Sequence, residues 1–145
     1  MSTKELQERL IDILNRWKKV ENASVASTGS VIAKTENPVI RMVMELIQQD
    51  SQYHYRVQDY MVSILEGATV TLNPDELAEV WDGIEKHIEI ERHTIELANE
   101  AKELLKGRKM VIHEYLLDYL MTDEEKHNKL LDSLEMIKKG MYPYG

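Results

Sequence analysis

The chain has 145 residues, enough for one domain with a substantial hydrophobic core. Hydrophobic residues make up 43% and charged residues 30%, the proportions of an ordinary soluble globular protein. A formal net charge of −8 argues against nucleic acid as a partner, and the absence of cysteine excludes disulfides, zinc ribbons, thiol catalysis and cysteine-ligated iron. No apolar run approaches the roughly 18 residues that span a bilayer, so no membrane is expected. The opening segment MSTKELQERL carries no signal-peptide core, which makes the cytoplasm the expected location. The acidic surplus would tolerate incoming cations, although a negative surface also simply favours solubility.

Four amphipathic helices are predicted, over about 3–34, 38–66, 74–106 and 109–139, with no strand pattern or linker between them. Ser2 followed by Glu5 has the form of a capping box. In the first helix Leu10, Leu14, Trp17, Glu21, Ser24, Thr28 and Val31 share one face. Its second half, residues 22–30, is small and polar, which either lets a neighbouring backbone approach closely or leaves room for a pocket. Asn37–Pro38 starts the second helix and Gly67 closes it. The stripe of that helix is Ile40, Val43, Ile47, Asp50 or Ser51, His54, Val57, Met61 and Ile64, apolar at both ends and polar in the middle.

Asn73–Pro74 opens the third helix and Gly107 ends it. Leu77, Trp81, Ile84, Ile88, Glu91, Ile95 and Ala98 form its seam, with His87 one turn before Glu91. The fourth helix is expected to stop at Gly140, ahead of a loose tail. Leu117, Leu120, Glu124, His127, Leu131 and Leu134 fall on one of its faces. The middle of this leucine seam is a carboxylate and an imidazole. An unpaired charge there would cost several kcal/mol, and a metal ion is the economical compensation. Residues three apart on a helix are neighbours, so Glu124 and His127 can serve one site.

The chain also repeats itself. Asp50–His54 aligns with Asp123–His127 at the offset that pairs Glu45 with Asp118. Between the first and third helices two registers compete. One sets Lys18 against Glu91; the other, with a shorter loop, sets Glu21 against Glu91 and keeps apolar residues with apolar residues. Lys18 could alternatively pair with Glu21 or a core carboxylate and replace a metal by a fixed ammonium.

These residues resemble the ferritin-like superfamily, in particular its rubrerythrin and bacterioferritin branch. There each hairpin of a four-helix bundle contributes a Glu from its first helix and Glu-x-x-His from its second. Glu91 with Glu124-x-x-His127 matches that pattern in full, whereas Ser51 stands where the first half would carry its second glutamate. The resemblance covers about residues 5–138 and implies a single all-α domain, 1–145, with a dimetal site. Glu91 and His127 would be terminal ligands of one metal, Glu21 and His54 would serve the other, and Glu124 would bridge. Asp50 and Asp123 would orient the histidines by accepting their second ring proton, or bind metal directly.

His87 is an added ligand on helical spacing. In a simple up-down bundle, His54, His87, Glu91, Glu124 and His127 would form one level that suits Fe, Mn or Zn. The family's crossover needs more reach than the ~25 Å that residues 67–73 supply, unless residues 73–82 form a separate short turn. The implied activity is that of a di-iron oxidoreductase of ferroxidase or peroxidase type, with iron the expected cofactor and Mn or Zn the alternatives. No catalytic residue is assigned, and rubrerythrin's cysteine-rich iron module is missing. Metal ions are the expected partners, with pairing of two copies through helix faces a further expectation. The competing reading is a non-catalytic bundle with an empty site or one structural ion, acting as an assembly subunit.

Overall fold

The computed structural model describes residues 1–69 and 74–141, and among them every regular element is an α-helix. The order is α1 (Thr3–Lys34), α2 (Pro38–Leu65), α3 (Pro74–Leu105) and α4 (Val111–Met141). Capping chemistry sets the boundaries. The Ser2 hydroxyl accepts from the Glu5 amide while the Glu5 carboxylate accepts from the Ser2 amide, closing the expected box. The Asn37 side chain accepts from the amides of Val39 and Ile40, with Pro38 in the first turn. Gly67 and Gly107 adopt φ of +108° and +75° just beyond α2 and α3, the left-handed geometry that closes helices.

α3 begins at Pro74 as expected and is continuous through Gly83, so the separate short turn over residues 73–82 that the crossover would require is not found among residues 74–82. One boundary expectation changes. α4 continues through Gly140 to Met141, because one glycine near a helix end costs only about 1 kcal/mol and does not oblige a stop. Asn73, the expected cap of α3, and the tail residues 142–145 lie outside the described residues.

The chain divides into two units, Met1–Val70 and Thr71–Gly145, each a helical hairpin. Within the first, α1 presents Ile11, Leu14, Lys18, Glu21, Val25 and Thr28 to the partner helix. α2 answers with Gln48, Ser51, Tyr55, Gln58, Val62 and Leu65. The steps of three and four residues are those of helices packed at a shallow angle. Of the stripe expected for α2, Ser51 is buried and Val43 half-buried, but Ile40, Ile47, His54, Val57, Met61 and Ile64 run beside the inner seam and are exposed, as are Trp17 and Val31 of α1.

The second hairpin is built the same way. Leu77, Trp81, Glu91 and Ala98 are buried on the inner side of α3, and Ile84, Ile88 and Ile95 are half-buried between them. Leu117, Met121, Glu124, Leu131 and Leu134 line α4. An outer stripe of Val80, Ile90 and Leu97 on α3, and of Leu120, Leu130 and Ile137 on α4, is exposed. α1 and α2 approach each other along more of their length than α3 and α4 do. Small residues permit it: a Cβ added to Gly29 would meet Gln48 Nε2 at 3.3 Å.

Candidate metal centre

In the second hairpin, the inner seam of α3 turns from isoleucine to Glu91, whose residue surface is only 6% exposed. His87, one turn earlier on the same helix, brings Nε2 to 2.8 Å from Glu91 Oε1. From α4, His127 Nδ1 lies 3.4 Å from that same oxygen and 3.7 Å from Glu124 Oε2. One potential ligand atom from each of Glu91, Glu124 and His127 lies within 4.8 Å of the others, close enough for one ion to bind all three after small side-chain rotations.

A buried and a half-buried carboxylate this close cannot both carry charge cheaply. The Glu91 carboxyl is held below the ordinary carboxylate range, first by its hydrogen bond with Glu124 and then by His87 and the neighbouring imidazoles, against the opposing effect of burial. Glu124 moves the other way, raised by the hydrogen bond with Glu91, by burial and by the Glu91 charge. The shifts run in opposite directions, Glu91 toward its charged form and Glu124 toward its neutral one, so the pair gives up its two protons in separate steps. Even so, Glu91 Oε2 and Glu124 Oε2 are buried and accept from no donor group of the protein.

The histidine supplies the third part. Its Nε2 faces Asp123 Oδ2 at 3.4 Å, and its Nδ1 faces Glu91 Oε1 at the same distance. Each ring nitrogen therefore points at a carboxylate, and Nδ1 can serve the Glu91–Glu124 pair either as a proton donor or, deprotonated, as a metal ligand. The donor set, two carboxylates and an imidazole, suits Fe, Mn or Zn.

The first hairpin carries a thinner version. Glu21 is 7% exposed on the inner seam of α1, and its Oε1 is approached at 3.5 Å both by His54 Nδ1 and by the donating Gln58 Nε2. Where α4 has Glu124, α2 has Ser51, whose hydroxyl bonds to that of Ser24 at 2.8 Å. Thr28 turns its hydroxyl back onto the Ser24 and Val25 carbonyls, so the small polar run of α1 becomes a satisfied close contact. The Lys18 ammonium lies 2.9 Å from Asp59 Oδ1 and over the Tyr55 ring, with its pKa raised chiefly by the Asp59 hydrogen bond. It pairs with α2, rather than with Glu21, because it occupies the seam one turn away and reaches outward to the rim. Glu21, therefore, is the positional counterpart of Glu91 within its hairpin.

The expected residues thus fall into two groups: His87, Glu91, Glu124 and His127 in one hairpin, Glu21 and His54 in the other. Asp123 stands beside its histidine, whereas Asp50 is exposed and makes no ion pair with His54. Gln58 is the site residue that the sequence reading missed. Its spacing from Ser51 and Val62 marked the inner seam, but a glutamine does not announce itself as core. Set against protein-family models, curated proteins and solved structures, the chain matches none of them.

Proposed function

We propose that this chain is a ferritin-like metal-binding protein whose principal site is formed by Glu91, Glu124 and His127, with Fe, Mn or Zn as the ion. The observation that carries the reading is the pair of buried oxygens, Glu91 Oε2 and Glu124 Oε2, that have no donor, in a cluster that His127 Nδ1 joins. A cation satisfies all three at once. Further support comes from the internal repeat, which gives each hairpin a buried Glu facing a His across the helix pair.

In this reading Glu91 and Glu124 provide the negative charge, and Asp123, 3.4 Å from His127 Nε2, would accept the proton of that nitrogen once Nδ1 binds the ion. His87 holds Glu91 Oε1 and can pass a proton to or from it. Iron, if bound, would supply redox reactivity toward oxygen or peroxide. The experiment is anaerobic addition of Fe(II) to metal-depleted protein, followed by air. Stoichiometric binding and oxidation that disappear in Glu91→Ala and Glu124→Ala support an oxidoreductase of ferroxidase or peroxidase type. Binding without oxidation favours the second reading, a non-catalytic bundle with a structural ion, to which the serine at position 51 and the lack of cysteines for electron entry point. No binding of Fe(II), Mn(II) or Zn(II) overturns the metal-binding reading and leaves the non-catalytic bundle with an empty site.

A further inference from the structure

Gln58 is the most buried polar side chain of the first hairpin, 4% exposed, yet its amide oxygen has no partner. The amide nitrogen makes a long contact, 3.5 Å, to Glu21 Oε1. Turning the amide over does not help, because the oxygen would then face the Glu21 carboxylate, acceptor against acceptor. As placed, the oxygen is buried without a donor; turned over, it faces Glu21 Oε1, where a cation between the two oxygens would satisfy both. At the corresponding place one turn beyond His127, the other hairpin has the apolar Leu131, so nothing in the helix pairing itself calls for an amide.

We propose that the first hairpin has its own cation site, formed by Glu21, His54 and Gln58, in which the Gln58 amide oxygen takes over the ligand position lost at Ser51. This rests on the metal reading of the other hairpin and extends it. The ligand class is a hard divalent cation, Fe(II) or Mn(II), since carboxylate, amide carbonyl and imidazole are oxygen-rich and contain no thiolate. The site is the weaker of the two. It offers one carboxylate where Glu91 and Glu124 offer two, and His54 lacks the aspartate contact that Asp123 gives His127. The chain thereby binds two ions unequally, one held and one exchangeable. A weakly held ion beside a buried carboxylate is the arrangement expected where metal is loaded and released.

The test is anaerobic calorimetric titration of the full chain with Fe(II) alone. Wild-type protein is expected to show a tight and a weak equivalent. Gln58→Leu, which installs the residue of the other hairpin, should weaken the second equivalent at least tenfold and leave the first unchanged. Gln58→Glu keeps the shape, adds charge and should tighten it. Glu124→Ala should remove the tight equivalent and spare the weak one. Two equivalents that are unaltered in both Gln58 variants overturn the proposal, as does a single equivalent that vanishes in Glu124→Ala; in the latter case the principal site stands. Wild-type protein that takes up neither Fe(II) nor Mn(II) overturns this proposal, and one that takes up no Zn(II) either removes the principal site as well.

Discussion

The two hairpins place a buried glutamate at the same point of the same helix pairing and then treat it differently. In α3–α4, Glu91 meets a second carboxylate and two imidazoles, and the cluster is short of positive charge. In α1–α2, Glu21 meets one imidazole and an amide, and the missing carboxylate is replaced by a serine that ties the helices together through Ser24. One repeat spends its polar layer on unsatisfied acceptors; the other spends most of it on hydrogen bonds and closer packing. The difference teaches that a buried acidic residue alone is not a site. What separates ligand from structure is the balance of donors and acceptors around it.

The largest expected effect comes from breaking the richer layer. Glu91→Ala or Glu124→Ala should lower metal affinity by more than about 100-fold, because loss of a direct ligand exceeds the 10- to 100-fold seen for outer-shell partners; equilibrium dialysis measures it. Chelator should lower the melting temperature of wild-type protein, since an ion at 100 times its Kd contributes about 2.7 kcal/mol, and should leave the melting of these variants far less changed.

Next is Ser51→Glu, which makes the first hairpin like the second. In metal-depleted protein it breaks the Ser24 hydrogen bond and buries an acid beside Glu21, at a cost of about 1–3 kcal/mol. With divalent metal present the loss should be recovered, because the added carboxylate becomes a ligand. Thermal melts with and without Mn(II) read both halves of the comparison.

The carboxylate pair gives a pH signature to the metal-depleted protein. Glu124 is raised, so its contribution is present at low pH and is lost as pH climbs through its folded pKa. Glu91 is lowered, so its contribution is present above the ordinary carboxylate value and is lost as pH falls through its folded pKa. Stability should therefore peak between the two, where the pair holds one proton, and Glu124→Gln should flatten the high-pH side. Metal must displace that proton, so uptake should release a proton and weaken as pH falls through the Glu124 pKa. The smallest effect is Ser24→Ala, which removes a neutral hydrogen bond and should cost about 1 kcal/mol with the affinity of the Glu91 cluster unchanged; chemical denaturation and titration check it.

Most of the helix boundaries were legible because they depend on neighbours in sequence: Ser2 with Glu5, Asn37 with Pro38, and the positive φ of Gly67 and Gly107. Glu91, Glu124 and His127 were legible because charged residues interrupted an otherwise apolar seam. α2 misled for the opposite reason. Its exposed stripe is rich in isoleucine, whereas its inner seam contains Gln48, Ser51, Tyr55 and Gln58, so hydrophobicity pointed to the wrong side. Lys18 illustrates a further limit: seam position was readable, but its choice of Asp59 over Glu21 depends on side-chain reach across the pair.

The account stands or falls on whether the Glu91–Glu124–His127 cluster holds a cation. The direct measurement is the metal content, by plasma mass spectrometry, of protein prepared without an affinity tag, alongside Glu124→Ala prepared identically. At least one equivalent of Fe, Mn or Zn per wild-type chain, and its loss in the variant, is the predicted result. Wild-type protein that is metal-free after growth and purification with all three ions supplied, and that melts at the same temperature with or without them, would contradict it.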